Sequence, residues 1–268
     1  MAVVQSPAVE PLFPTDAGGG VDEGLGRTFV WAHALAGSVA QDTEQGLFNW
    51  AAATEVATVV RYDTRGHGTA PGAYFYRSYR WPALVDDMLR AAGDGPFVAG
   101  GAAMGCAVSL FAALAAPRRV QALVLALPPP AWEARATAAE RHELDARRVE
   151  AGGLPAFVDV LRAAPDPPVL AGHDHVKEVS LRHVTTMDEE LLPAILRGAA
   201  ASDLPSRRDV RTIIVPTLIL AWDGDPAHPL STAEELADLM VQAELRVADD
   251  LDQVRAWPLL VRDFLAGL

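Results

Sequence analysis

A chain of 268 residues is long enough for one large core, and its composition does not demand two independent units. Acidic residues outnumber basic ones 35 to 22, and the net charge of -13 disfavours nucleic acid or an anionic membrane as a partner. A small neutral or cationic molecule is the easier ligand. The single cysteine, Cys106, allows no internal disulfide. No basic, then apolar, export signal opens the chain, so a cytoplasmic location is expected. No apolar run approaches the roughly 18 residues that a membrane span needs.

The opening, residues 1–24, mixes proline and glycine without periodicity and reads as a loose arm or a poor edge strand. From Thr28 onward the texture changes. TFVWAHA, ATVVRYD, PFVAGGA, ALVLALP and TLILAWD are short, nearly continuous apolar runs, as expected of strands buried on both faces of a parallel sheet. Between them lie helical patterns. SYRWPALVDDMLRAAG places Trp81, Leu84, Met88 and Leu89 at helical spacing, and GCAVSLFAALAAP is an almost wholly apolar helix that ends at proline. This alternation predicts an α/β fold with a doubly wound, mostly parallel sheet.

The alternation stops after PPPAWEARA. Residues 131–210 carry charged helical patterns and no convincing strand, so they form an inserted helical cap, or lid, between core segments 1–130 and 211–268. Sheet texture then resumes, with a helix from Ser231, a short strand AELRVAD and a terminal helix WPLLVRDFLAGL.

Three segments converge where strands end: WAHALAGS, RYDTRGHG and GGAAMGC. Together with WDGDPAHP, and in this order and spacing, they resemble the α/β-hydrolase family from about Thr28 to the C-terminus. The resemblance implies eight strands, with the cap inserted after the sixth. It also implies cleavage of an ester, thioester, lactone or similar acyl bond of a small molecule, without a cofactor. Ala103 takes the nucleophile position of a GxSxG-like elbow. The amides of Met104 and Leu35 would form the oxyanion hole, although Ala34 stands where that family commonly has glycine. The acid position falls on Asp225, with Asp223 as its rival.

Two of the three triad positions depart from that pattern. Alanine replaces the serine, and no histidine follows His228; Asp252 or Gln253 falls where the family's base would be. GGAAMGC differs from the elbow form GG-x-S-M-G by one residue, which favours a serine replaced by alanine, a change that costs about a millionfold in turnover while keeping the pocket. The alternatives are a natural pseudohydrolase or binding protein, or a lyase or other cofactor-free enzyme on the same scaffold. His33 and His228 are the candidate replacement bases, each with a structural role as its alternative. His67 reads as structural. Trp132, where the cap begins, is a candidate for lining the substrate pocket, whereas Trp81 reads as helix packing. His173, Asp174, His175 and His183 fit no zinc spacing, and Cys106 reads as a small core residue rather than a second nucleophile. No metal site is expected. The sequence leaves the oligomeric state open.

Overall fold

The apolar runs become strands because nearly every side chain in them is covered. In the computed structural model, which describes residues 26–268, β3 (Phe97–Ala102) and β5 (Thr217–Trp222) are buried at all six positions. β1 (Thr28–Ala32) and β4 (Val120–Ala126) are nearly so. β2 (Thr58–Tyr62) and β6 (Ala243–Ala248) keep several exposed or half-exposed residues, and both lie at sheet edges.

The six strands pair in the order β2-β1-β3-β4-β5-β6, every pair parallel. The expectation of eight strands is therefore corrected to six among the described residues. Residues 26–268 contain five apolar strand runs and the short strand AELRVA, and the two further strands rested on the resemblance, with no run of their own there. The helical insertion follows the fourth strand, not the sixth. The arm or edge strand expected at the start of the chain lies outside the described residues.

Helices cover both faces, and a short one, α1 (Val39–Gln45), follows the loop after β1. On one side α2 (Val85–Ala91), α3 (Met104–Ala115) and α8 (Leu230–Leu239) bury Met88, Leu110 and Leu236 with Leu123 and Leu125. On the other, a 3-10 segment (Trp50–Glu55) and α10 (Trp257–Ala266) enclose Phe29, Trp31, Trp50 and Trp257. The helix expected from Ser78 begins instead as two 3-10 turns, Tyr76–Tyr79 and Trp81–Leu84, because Pro82 carries no amide hydrogen for a regular ladder.

Between β4 and β5 the chain is helical: α4 (Arg135–Ala163), α5 (Asp174–Val184), α6 (Leu192–Ala200) and α7 (Arg207–Val210). α4 kinks at Gly153, where φ is 69°, two residues before Pro155. Its halves and α6 share a small core of Val149, Phe157, Leu192 and Leu196. Arg135 ties this insertion to the sheet side: its guanidinium lies 4.3 Å over the Trp81 ring, and its Nε donates to Ser202 O at 2.7 Å. No helix among the described residues is long and apolar enough to cross a membrane.

Candidate active site

The strand order reverses between β1 and β3. From β1 the chain moves outward to β2, then returns to place β3 on β1's other side. In open parallel sheets ligands bind at such a switch point, beyond the carboxyl ends of the strands. The loop His33–Gly37 and the turn at Ala103 leave the sheet there, side by side. The loop after β5 leaves the same edge two strands away, about 10 Å at the usual strand spacing.

Backbone strain concentrates at this edge. Four described non-glycine residues have positive φ: Ala36, Ala103, Leu127 and Trp132. Ala103 and Leu127 directly follow β3 and β4, Ala36 lies in the loop after β1, and Trp132 opens the insertion. Each such conformation costs about 1–3 kcal/mol, and strain of this kind gathers at functional sites.

Ala103, at φ 49° and ψ -106°, is the pivot between β3 and α3. Its amide donates to Ala126 O at 3.0 Å, and its carbonyl accepts from Cys106 N at 3.0 Å. The turn closes this tightly because both flanking glycines lack a side chain. A Cβ on Gly105 would lie 2.3 Å from Ala32 O, and one on Gly101 would lie 2.5 Å from the carbonyl carbon of Gly105. Ala103→Gly is expected to hold or raise the melting temperature. Relief of about 1–3 kcal/mol of strain outweighs the roughly 0.5–1 kcal/mol that glycine loses in chain entropy. Calorimetry showing a fall of several degrees would contradict this.

The Met104 amide opens α3, and among the described residues neither it nor the Leu35 amide donates a hydrogen bond. Leu35 sits in a turn closed by Gly37 N donating to Ala34 O at 3.0 Å, with Ala36 at φ 56° as its third residue. Ala34 thus accommodates the turn, and the left-handed position falls two residues later.

His33 is buried, and both of its ring nitrogens are engaged. Nδ1 meets Ala34 O at 2.8 Å, and Nε2 accepts from Thr64 N at 3.0 Å. Its ring packs 5.0 Å from that of His67. Burial, followed by the neighbouring His33, pushes the His67 imidazole down to about 3, so His67 is neutral at ordinary pH.

Asp225 is buried and Asp223 exposed. The Asp223 carboxylate accepts only from the adjacent Gly224 N, at 2.7 Å, among the described residues. Asp225 Oδ2 meets His228 Nδ1 at 2.8 Å and accepts from Trp222 Nε1 at 3.1 Å, while Oδ1 accepts from Ala227 N at 2.8 Å. Burial pushes this carboxyl up, but the His228 contact and the other donors outweigh it and hold Asp225 at about 2. The sign follows from that depression. Asp225 contributes about 2 kcal/mol above pH ~4, lost as pH falls through its folded value. Asp225→Asn should therefore flatten the acid limb of a urea-stability profile between about pH 4 and 2. An unchanged limb would contradict this contribution.

The stretch after β6 differs from expectation. Asp252 and Gln253 both face solvent, Asp252 paired with Arg255 at 3.1 Å, so neither is directed into the site. Leu251 turns inward and joins Leu127, Val169, Leu170 and Trp222. The helix geometry is the cause. Asp250 caps α9 (Leu251–Arg255) by accepting from Gln253 N at 2.8 Å, so Leu251 and Val254 share its buried face. The pattern Asp-x-x-Gln was the signal for this helix start.

Trp132 also acts differently from a free pocket wall. Its amide donates to Asp203 Oδ1 at 3.1 Å, its indole Nε1 donates to Pro205 O at 3.0 Å, and Arg207 lies 4.6 Å over its ring. It braces the neck where the insertion leaves and rejoins the sheet. Residues 168–170 of the insertion meet the loops that follow β4 and β5 instead. Val169 and Leu170 pack with Leu127 and Trp222, and Pro168 lies against Gly224. Surface grooves occur elsewhere, one beside Arg27, Pro216 and Phe264 at the opposite strand ends and one beside Pro155 and Arg162 on the insertion, and neither reaches Ala103. Cys106 is buried, with Sγ 3.0 Å from Ala126 O; burial pushes its thiol pKa up, so it is no nucleophile. Among the described residues no group of three or more His, Cys, Asp or Glu side chains is placed to hold a metal.

The parallel sheet, the helices on both faces and the strained turn after β3 define a doubly wound α/β fold with a candidate site at its switch point. The α/beta hydrolase fold family model matches residues 27–171, more than half of the chain, and the protein belongs to that family. No curated protein matches it in sequence. The chain is similar in fold to an enol-lactonase from Burkholderia xenovorans LB400, at TM-score 0.75 and 22% identity over 90% of this chain and 91% of that one. It is similar to a thermophilic esterase from Thermogutta terrifontis, at TM-score 0.76 and 20% identity over 91% of each. A hydrolase from Pseudomonas aeruginosa PA01 aligns at TM-score 0.72 and 23% identity over 89% of each.

Proposed function

We propose that this scaffold hydrolyses an ester, thioester or lactone of a small molecule, and that the chain with Ala103 is its form lacking the nucleophile. The strained conformation of Ala103 carries this reading, because alanine gains nothing from it. A serine there would present its hydroxyl at the switch point, above two amides without hydrogen-bond partners. The enol-lactonase and esterase that share the fold agree with acyl chemistry.

In the serine form, His228 Nε2 takes the hydroxyl proton as the oxygen attacks the acyl carbon. Asp225 orients the ring through Nδ1. The Leu35 and Met104 amides hold the oxyanion, and His228 returns the proton to the departing alcohol or thiol. Water, deprotonated in turn by His228, then releases the acid. His228 is preferred to His33 because its Nε2 has no partner among the described residues, whereas both His33 nitrogens are engaged. Residues 131–210 serve as the cap over cores 1–130 and 211–268, with residues 168–170 the part that must yield to admit substrate.

The test is turnover of a panel of nitrophenyl esters, thioesters and lactones by the present chain and by Ala103→Ser. Hydrolysis by the serine form alone supports the proposal; no turnover by either overturns it. A second reading, a natural binding protein, is favoured by Leu251, since an apolar residue fills the inward position of the loop where the family's base is expected. That reading predicts tight ligand binding by both forms and turnover by neither.

A further inference from the structure

The insertion meets the rest of the chain along two edges of different chemistry. The α6 edge is apolar and tight: Leu191, Ala194 and Ile195 enclose Tyr79, and a Cβ on Gly198 would lie 2.4 Å from the Tyr79 Cβ. Leu35 packs against that cluster and against the one that holds Leu192 and Leu196. The α5 edge is polar. Gln45, at the end of α1, donates from Nε2 to Val176 O at 2.9 Å and to Ser180 Oγ at 2.7 Å, and Gln41 Nε2 lies 3.4 Å from Ser180 Oγ. Such bonds are traded for water at little net cost, whereas uncovering an apolar edge costs its whole burial.

The stretch that carries the polar edge is bounded and tied to itself. The insertion's own core holds the chain as far as Leu161 and again from Leu181 and Val184, where Glu44 also pairs with Arg182 and, at 2.9 Å, with His183 Nε2. Of residues 164–180 between them, only Val169, Leu170 and Val179 are buried. Lys177 joins the two limbs of the stretch, donating to Ala164 O at 2.5 Å and lying 3.3 Å from Asp166 Oδ1. Gly172, at φ 77°, turns the chain between them. Segments with so few buried apolar contacts are the first to open locally.

Val169 and Leu170 meet Leu127 and Trp222, and Leu127 follows β4, the strand beside β3 and Ala103. We propose that residues 164–180 open as one flap, caught by Gln45, and that this flap rather than the whole insertion gives access to position 103. α6 stays seated, and with it the turn that carries Leu35. The inference rests on residues 131–210 acting as a cap, and its test uses no turnover.

Hydrogen–deuterium exchange of the full chain, read on peptides by mass spectrometry, is the test. In Gln45→Ala, which leaves a good helix former in α1, the amides of Leu170, Ala171 and His173 and those of residues 177–180 should exchange faster by one common factor of about ten, the worth of two lost hydrogen bonds. Residues 195–200 should exchange as in the unaltered chain. Ser180→Ala should raise the same amides by a smaller factor, since Gln45 keeps Val176 O. Lys177→Met should part the limbs, so that residues 170–173 exchange faster than before and residues 177–180 do not. Unchanged exchange of both limbs in Gln45→Ala, limbs that respond by different factors, or an increase shared by residues 195–200 overturns the inference. Turnover by Ala103→Ser alongside such a result would leave the proposed chemistry standing and remove the flap alone.

Discussion

In a chain carrying serine at position 103, His228→Gln is expected to lower kcat for ester hydrolysis by about 10²–10⁴, the usual contribution of a positioned acid–base group. The effect should fall on kcat, since among the described residues the His228 ring hydrogen-bonds to Asp225 alone and Gln fills similar space. Thermal stability should fall by about 1 kcal/mol, since the buried Asp225 loses its His228 contact and keeps its Trp222 and Ala227 donors. His33→Gln should behave differently. His33 links Ala34 O to Thr64 N, so its loss loosens the turn that carries the Leu35 amide and lowers both stability and rate. Full activity in His228→Gln would remove His228 as the base while leaving the nucleophile position untouched.

The second large effect is structural. Gly105→Ala is expected to destabilise the fold by about 3 kcal/mol or more, the upper range for overpacking, because the obstacle is the backbone carbonyl of Ala32 at 2.3 Å. No rotamer change can relieve that contact. For a chain of this size the melting temperature should fall by about 6–12 °C. Gly95→Ala is the control: a Cβ there meets nothing within 4 Å, and stability should hold or rise by a few tenths of a kcal/mol. Equal losses in the two variants would show that the close approach of α3 to β1 does not govern the turn.

Much of this architecture is legible in the residues. Each apolar run became a strand, since continuous burial on both faces leaves a continuous hydrophobic signature. The turn at Gly101–Gly105 is legible because its glycines answer a steric need that no other residue meets. Less was legible where a side chain's direction decides its role. Asp252 and Gln253 were expected at the base position by spacing, yet the helix start at Asp250 rotates them outward and brings Leu251 in. Trp132 stood at the right place in the chain, but its partners Asp203, Pro205 and Arg207 come from the far end of the insertion, a pairing no local pattern announces. The Asp225–His228 contact spans three residues and was open to inspection. What the sequence lacked was the evidence of burial that separates Asp225 from Asp223.

Position 103 is proposed as a nucleophile's place. Its most direct test is intact-protein and peptide mass spectrometry of Ala103→Ser after exposure to a fluorophosphonate. One adduct is expected, on the peptide containing residue 103, and none on the present chain. An unlabelled serine variant that is folded and still binds acyl ligands would contradict it.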